Sequence, residues 1–447
     1  MDDVTRQPVA YVADAPIPPA PPPANTVGAV GWIRANLFPD VLNSVLTILA
    51  IAFLVSFVPG WLDWAYFHSV WTAESLAECR AIMDEAYGEG VRGACWAVVN
   101  ERFSQFVYGY YPAELRWRPN LVFVLLLVAL APVLFQNLPG RRLFLLVTLA
   151  FPALAYYLIW GGSMWPFFSL LAGGVLTAAA FSMISKINHP VFGTPGIAAL
   201  GAIAVASLYL NYAWTPFGDF LRAGYGEIAF ETVESDSLGG FLLTMVIGVT
   251  AIAVSLPIGV LLALGRQSSL IFIRSVAVGF IECVRGVPLI TLLFVASTVL
   301  NYFLPPGTTF DIILRVVIVA TLFASAYIAE AVRGALASLP KGQYEAADAL
   351  GLTYWQSMRM IILPQALKVS IPSIVNIFIG LFKDTTLVSV IGLSDPLGII
   401  QPILGDSSWQ GIIAELYVFV ALVFFFLCFG MSRYSMYLER RLQTDHR

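Results

Sequence analysis

Charged and hydroxyl side chains interrupt two otherwise apolar stretches in the second half of the sequence: Glu282, Arg285, Lys383, Asp384 and Thr385. A charge within a membrane-spanning stretch is costly, so it usually faces a water-filled path or a partner. Together these groups offer a cationic and an anionic site, as a small zwitterion such as an amino acid requires. The competing interpretation is that they hold helices together or mark the membrane edge.

The spacing of these charges predicts different partners. Glu282 and Arg285 are three residues apart, so on a helix they share a face and could pair with each other. Lys383 and Asp384 are adjacent and point about 100° apart on a helix, so they cannot form one flat ion pair. One of these two is therefore expected to reach another helix or the solute path.

Patterns for catalysis are absent from the sequence. It contains no G-x-x-x-x-G-K-[ST] loop with which to cradle nucleotide phosphates. The three histidines, His68, His189 and His446, are too scattered for a metal site or an acid–base pair. We therefore expect no enzymatic activity, no metal and no cofactor in this chain.

The composition is that of a membrane protein. Of the 447 residues, 59% are hydrophobic and 12% are charged, and the mean hydropathy is +0.80. Soluble domains do not carry so large an apolar share, whereas a spanning helix needs roughly 20 mostly apolar residues. Ten segments are predicted to span the membrane: 41–60, 121–136, 143–160, 167–184, 195–213, 239–265, 270–303, 311–333, 366–393 and 411–432.

The distribution of basic residues predicts the orientation. If the N-terminus is cytoplasmic and the ten helices alternate, most Lys and Arg residues between them fall on the cytoplasmic side, as the positive-inside rule requires. An even number of helices returns the C-terminus, with Arg440 and Arg441, to that side. The fold class predicted is an all-α polytopic membrane protein with about ten transmembrane helices and both termini in the cytoplasm.

The chain is predicted to divide near residue 237. A proline-rich, polyproline-like tail comes first, and a long loop on the outside follows the first helix. The predicted parts are the cytoplasmic tail 1–40, five accessory helices in 41–237 with the outside loop 61–118, a core of five helices in 238–436 and a cytoplasmic tail 437–447.

Two of the four cysteines, Cys79 and Cys95, share the outside loop. A disulfide between them is possible if that side is oxidising. A sequence does not supply the Cα separation that such a bond requires, so the pairing stays open at this point.

A polar segment between two apolar stretches, EAADALGLTYWQSMRMIILP at 345–364, carries a regular motif. Glutamate and alanine favour a helix, and small alanines let another backbone approach closely. Gly351 offers a turn that a Cβ would hinder, and Pro364 disfavours helix at the residue before it, so we expect a bend there. The motif predicts a short docking helix; a partnerless helix on the membrane surface is the alternative. Its defining residues are Glu345, Ala346, Ala347, Gly351, Ile361, Leu363 and Pro364.

This motif resembles the EAA loop of the membrane subunits of binding-protein-dependent ABC importers. The segments RGVPLITLLF and FIGLFKDTTLVSVIGL resemble the polar amino-acid branch of these permeases. The resemblance covers residues 238–436, the full core of that family. The additional N-terminal helices resemble those of the longer permease subunits of general L-amino-acid ABC importers from Gram-negative bacteria.

The resemblance implies a type I ABC importer transmembrane domain in 238–436, with the EAA loop, 334–365, docking onto cytoplasmic ATPase subunits that hold the ATP. It also implies a second, homologous permease subunit forming a heterodimer, and a periplasmic amino-acid-binding protein. The implied location is a bacterial inner membrane, and we expect no nucleic-acid partner. The accessory helices are expected to pack around the periphery of the core.

Two other functions remain compatible with the sequence. The same machinery could import another small polar solute, because the motif segments do not decide the chemistry of the pocket. An ion-coupled secondary transporter built from inverted five-helix repeats also fits ten helices, although the two halves show no internal similarity. A requirement for a separate ATPase distinguishes the importer from the carrier.

Overall fold

The computed structural model describes residues 28–135, 139–187, 195–303 and 310–443. The chain forms two compact units: one contains the residues up to 73 together with 77–96, and the other contains 74–76 and the residues from 97 onward. Neither unit ends near residue 237, so the predicted division is not a boundary between compact units. Residues 1–27 of the predicted N-terminal tail lie outside the described residues.

The first unit begins with two helices. Helix α1 spans Gly28–Leu37 and α2 spans Val41–Leu62, and a π-helical turn follows at Asp63–Phe67. Residues 28–37 of the predicted polyproline-like tail are therefore helical. That stretch contains no proline, so nothing in it prevents helix formation.

A disulfide-bonded loop completes this unit. Helix α3 spans Leu76–Tyr87, and its Cys79 is bonded to Cys95, with the two Cα atoms 6.3 Å apart. Both cysteines are buried. The indole Nε1 of Trp96 donates a hydrogen bond to the backbone O of Ala65 at 2.7 Å, which ties the end of this loop to the π-helical turn.

The second unit starts with helices that precede the predicted core. Helices α5 and α6 pack against each other, as do α7 and α8. Two short strands, β1 and β2, pair in antiparallel fashion, with Gly162 opposite Phe230. The bounds are α4 Ala97–Tyr108, α5 Trp117–Leu134, α6 Arg141–Trp160, β1 Gly162–Ser163, α7 Trp165–Ser185, α8 Pro195–Leu208, α9 Trp214–Tyr225 and β2 Ala229–Phe230, with short turns at Ala113–Leu115, Tyr209–Ala213 and Ser235–Ser237.

The core helices follow. They are α10 Gly240–Arg266, α11 Ile271–Gly286, α12 Leu289–Phe294, α13 Leu300–Phe303, α14 Ile312–Ser338, α15 Lys341–Ala349, α16 Tyr354–Ser357, α17 Leu363–Asp384, α18 Ile400–Leu404 and α19 Ala414–Gln443. Irregular turns lie at Val295–Val299 (π), Met358–Ile362 (π) and Thr385–Ile391 (3₁₀).

Small residues bring α10 and α14 together at the centre of the core. A Cβ on Gly259 of α10 would lie 2.7 Å from the Cβ of Ile328 and 3.0 Å from the backbone O of Ser325. Ser325, fully buried, donates its hydroxyl to Thr321 O at 2.6 Å. Membrane helices rely on such close approaches because lipid supplies little hydrophobic drive for helix association. The two 27-residue helices therefore form a rigid pair about 40 Å long at 1.5 Å per residue.

The predicted membrane fold is confirmed. The described residues contain 9 helices long and apolar enough to span a membrane, or up to 10 if one bent pair counts as a span. The segment 270–303, predicted as one spanning helix, is broken, because α11 and the helical stretch Leu289–Val299 meet at a bend of 102°. Pro288 causes the break: it holds Val287 in the extended region (φ −114°, ψ 134°), as expected for a residue before proline.

Two further boundaries differ from prediction. Pro364 does not bend the chain, because it lies in the first turn of α17, where its missing N–H is tolerated, directly after a π-helical turn. The helix predicted over 366–393 instead ends at Asp384. The predicted tail 437–447 is helical as far as Gln443, within α19, and residues 444–447 lie outside the described residues.

Candidate coupling surface and substrate path

The EAA loop is built from two short helices joined by a glycine turn. Helix α15 begins at Lys341, directly after Pro340, and so starts earlier than the predicted Glu345. Gly351 adopts φ +69°, which closes the helix with a left-handed residue, and the predicted turn is present. Thr353 then starts α16 with a capping box, in which its side chain and that of Gln356 each bond the other's backbone N–H.

The EAA loop exposes large apolar side chains. An exposed apolar cluster in an otherwise polar loop marks an interaction surface. The sequence analysis does not single out these side chains, which belong to Leu350, Tyr354 and Trp355, although aromatic residues in a polar segment are a usable signal. With the exposed motif residues they form a candidate docking face, named the coupling surface below, which consists of Glu345, Ala346, Leu350 (74% exposed), Tyr354 (51%) and Trp355 (66%).

Other motif residues anchor the loop to the core. Ala347 and Ile362 are fully buried, and Ile362 belongs to an apolar cluster with Ile328 and Val332 of α14. The motif residues Ile361 and Leu363 pack against the same cluster, and Pro364 is exposed. The side-chain amide Nε2 of Gln365 donates to Gln343 Oε1 at 3.1 Å, linking α17 to α15. The loop is therefore anchored to α14 through Ile362 and to α17 through Gln343.

Five charged side chains form an ionic cluster at the ends of α10, α11 and α14. Arg266 Nη1 lies 2.9 Å from Glu282 Oε1 and 3.3 Å from Glu330 Oε2. Arg285 Nη1 lies 3.8 Å from Glu330 Oε2, and Arg333 bonds Glu330 from one turn away. Glu282 and Arg285 therefore pair with residues of other helices, because α10 and α14 bring charged partners within reach of α11.

The segment Lys383-Asp384-Thr385 lies where α17 stops. Lys383 is exposed, Asp384 is partly buried and Thr385 is buried. The Thr385 hydroxyl donates to Phe382 O at 2.7 Å, and the Thr386 hydroxyl donates to Lys383 O at 2.8 Å. These bonds satisfy carbonyls at the helix end. The structure thus places a helix terminus with both signs of charge inside the apolar stretch.

The five candidate path residues do not form one site. Gly248 of α10 faces the end of α17, since a Cβ there would lie 3.0 Å from Phe382 and 3.8 Å from Thr385. Arg266, which bonds Glu282, lies about 27 Å further along α10 at 1.5 Å per residue. One amino acid is far shorter than this distance. Lys383, Asp384 and Thr385 therefore remain together as one candidate group, and Glu282 and Arg285 belong to the ionic cluster.

Asp395 is a buried carboxylate that sequence reasoning missed. Its Oδ1 accepts a hydrogen bond from Gly398 N–H at 2.8 Å, and its Oδ2 accepts one from Leu397 N–H at 3.2 Å. Burial raises the pKa of Asp395 to about 6. The carboxylate caps the turn that leads into α18, and its sequence signal is the turn-forming S-D-P-L-G run.

Comparisons with known proteins extend over the whole chain. The family model for the inner membrane component of binding-protein-dependent transport systems matches residues 255–444. The glutamate/glutamine/aspartate/asparagine transport system permease protein BztC of Rhodobacter capsulatus is 53% identical over 98% of this chain and 99% of its own length. The inner membrane amino-acid ABC transporter permease protein YhdY of Escherichia coli is 39% identical over 96% of each chain.

Shorter relatives match only part of this chain. The glutamate/aspartate import permease protein GltK of Escherichia coli is 34% identical over 46% of this chain but 92% of its own length. This chain therefore carries a long segment that such relatives lack. The resemblance suggested by the EAA motif is confirmed by the relatives that match from end to end. The chain belongs to the permease subunits of amino-acid ABC transporters, which are multi-pass inner membrane proteins.

Proposed function

We propose that this permease subunit imports acidic amino acids and their amides. The observation that carries the proposal is the 53% identity, over nearly the whole of both chains, to a relative named for glutamate, glutamine, aspartate and asparagine transport. All four solutes are zwitterions with a second polar group. A path for them needs cationic and anionic groups at one depth, and Lys383 and Asp384 meet that need.

In this proposal both termini and the EAA loop face the cytoplasm. The coupling surface docks onto an ATPase subunit, where ATP binds and is hydrolysed. The exposed Trp355 and Leu350 supply apolar contact area, while the buried Ile362 keeps the loop fixed to α14. Closure of the ATPase dimer would then move α15 and the helices attached to it as one lever.

The proposal gives the two charged groups different roles. The exposed Lys383 attracts the substrate carboxylates, and Asp384 attracts its ammonium group, at the end of α17. A second, homologous permease subunit completes the path opposite these residues. The ionic cluster around Glu330 lies at the cytoplasmic end and closes the helices there, without contacting substrate.

The test is ATP hydrolysis by the transporter complex in nanodiscs, stimulated by a binding protein loaded with glutamate. Glu345→Lys reverses the charge on the coupling surface, so the variant should lose both the co-purifying ATPase subunit and the stimulated hydrolysis. The matched control is Glu114→Lys, an exposed residue in the Ala113–Leu115 turn, which should retain both. Uptake driven by an ion gradient without any ATPase would refute the proposal in favour of a secondary transporter.

A further inference from the structure

Helix α4 lies outside the segment matched by the family model, yet its polar side chains bind a loop of the core. That loop, residues 392–412, is termed the rim loop. Arg102 forms an ion pair with Asp406, and the indole Nε1 of Trp409 donates to Glu101 Oε2 at 2.9 Å. Trp409 is fully buried, and the Arg102 and Asp406 side chains are 29% and 30% exposed. These bonds join α4 to the second half of the rim loop.

Backbone contacts fix the first half of the rim loop to the start of α10, which in turn packs against the end of α4. The Gly240 N–H donates to Ser394 O at 2.7 Å. A Cβ on Gly240 would lie 2.0 Å from Phe106 O, and a Cβ on Gly109 would lie 2.3 Å from the Cα of Gly239. Only glycine permits these approaches, so the end of α4, the start of α10 and the rim loop meet backbone to backbone.

The position of the rim loop relates it to the substrate path. The loop starts directly after the 3₁₀ turn that begins at Thr385 and follows Lys383 and Asp384. The rim loop contacts Gly240, the first residue of α10, whereas the ionic cluster contains Arg266, the last residue of the same helix. The rim loop therefore lies at the end of the core opposite the EAA loop. Given the orientation proposed above, that is the end at which substrate enters.

Resting on the proposed function, we propose that α4 sets the position of the rim loop at the substrate entrance, with Glu101 and Arg102 as positioning residues for transfer from the binding protein. They act through Trp409 and Asp406 and do not contact substrate. A rim loop held in one position reduces the ordering that a binding protein must impose when it docks. Loosening the rim loop should therefore weaken productive docking and leave the subsequent turnover unchanged.

The test measures ATP hydrolysis by the whole complex in nanodiscs against the concentration of glutamate-loaded binding protein. Arg102→Ala should raise the KM for the loaded binding protein about two- to fivefold, the size of effect expected for a partly exposed ion pair, with kcat unchanged. Arg102→Lys keeps the charge and should stay close to wild type. Arg102→Ala should add nothing further to an Asp406→Ala variant, because the two side chains act as one pair.

The control and the contrary outcomes separate this inference from the proposed function. Arg92→Ala removes an exposed arginine of the long loop and should leave both constants unchanged. An unchanged KM in Arg102→Ala overturns the inference, as does an equal loss of kcat and assembled complex at constant KM, which indicates a structural role only. If Arg102→Ala does not assemble, Glu101→Ala, which removes the acceptor of the Trp409 indole, gives the same readout. A wild-type complex that ignores the binding protein overturns the proposed function itself, and the inference with it.

Discussion

The two ends of the core differ in how far their tryptophan and acidic side chains are exposed to solvent. At the EAA end Trp355 is 66% exposed and Glu345 is exposed beside it in the loop, whereas at the rim end Trp409 and Asp395 are fully buried. The indole of Trp409 and the carboxylate of Asp395 are both hydrogen-bonded within the chain. We therefore expect the EAA end to contact another protein, whereas the rim end is held in shape by bonds within the chain.

The ion pairs at the two ends also differ, in the number of partners that share one carboxylate. At the EAA end Glu330 serves as a shared acceptor for Arg266, Arg285 and Arg333. At the rim end Arg102 of α4 binds Asp406 of the rim loop. A shared acceptor can exchange partners when helices shift, as a moving element requires, whereas a pair between two elements is lost when they separate. We therefore expect motion to be accommodated at the EAA end and resisted at the rim.

The largest effect should separate the two tryptophans. Trp409→Ala removes a fully buried indole and the bond to Glu101, so it should destabilise the protein by about 3–5 kcal/mol. Trp355→Ala removes an exposed indole and should change stability by less than about 0.5 kcal/mol, while reducing stimulated ATP hydrolysis. Thermal unfolding in detergent and hydrolysis in nanodiscs measure the two effects. Equal losses of stability would contradict the contrast between the two ends.

The next effect concerns pH at the rim. In the folded protein burial raises the pKa of Asp395 to about 6, above its ordinary value of 3.8, so the native state binds that proton more tightly. Protonation of Asp395 therefore adds to the free energy of unfolding. This contribution, about 3 kcal/mol, is fully present below pH 3.8 and is lost as pH rises through about 6. Asp395→Asn should remove that decline from thermal unfolding curves between pH 4 and 7.

Asp406 in the same loop supplies a control of opposite sign. The Ser408 N–H, together with Arg102, lowers the pKa of the Asp406 carboxyl. Its contribution is therefore present at neutral pH and is lost as pH falls through the lowered pKa. In a plot of unfolding temperature against pH, Asp406→Asn should flatten the fall at acidic pH. It should leave in place the fall near pH 6 that Asp395 causes. Two variants with parallel curves would show that neither carboxylate senses pH as its surroundings predict.

The same contrast explains how much the sequence could predict. The EAA loop is local: Gly351 turns the chain, and Thr353 and Gln356 cap the next helix within a few residues. Local patterns of this kind determine local structure, so the motif predicted the turn and the short helix. The rim depends on partners more than 300 residues apart, since Arg102 and Asp406 are separated by 304 positions. No periodicity or spacing links such residues before the chain folds.

The ionic cluster lies between these cases. The sequence shows the charges at Glu282 and Arg285, but their helical spacing predicts a pair within α11. The structure pairs them with Arg266 and Glu330, because packing of small residues draws α10 and α14 together. Pro288 is a sequence signal for a bend, but the apolar content of 270–303 predicts one continuous spanning helix. Composition identifies a membrane segment without determining whether it is straight.

A smaller effect should come from the shared acceptor. Glu330→Ala leaves three arginine side chains close together without their common carboxylate, so we expect a loss of about 2 kcal/mol. Glu282→Ala is the matched control: this carboxylate is 55% exposed and binds Arg266, so its loss should cost less than about 1 kcal/mol. Unfolding temperatures of the two variants give the comparison. An equal cost for both would argue against Glu330 as the centre of the cluster.

The smallest effect tests the turn that orients the coupling surface. Gly351 has φ +69° and nothing within 4 Å of an added Cβ, so Gly351→Ala pays only for the left-handed backbone, about 1 kcal/mol. Gly342 also faces open space but lies within α15, so Gly342→Ala should stabilise the helix by up to about 1 kcal/mol. Opposite shifts in unfolding temperature would show that backbone conformation decides the outcome. Gly351→Ala changes no side-chain contact, so it tests the orientation of α16 alone. If the variant also lowers stimulated ATP hydrolysis, coupling depends on the direction in which the turn orients α16 and its exposed aromatic residues.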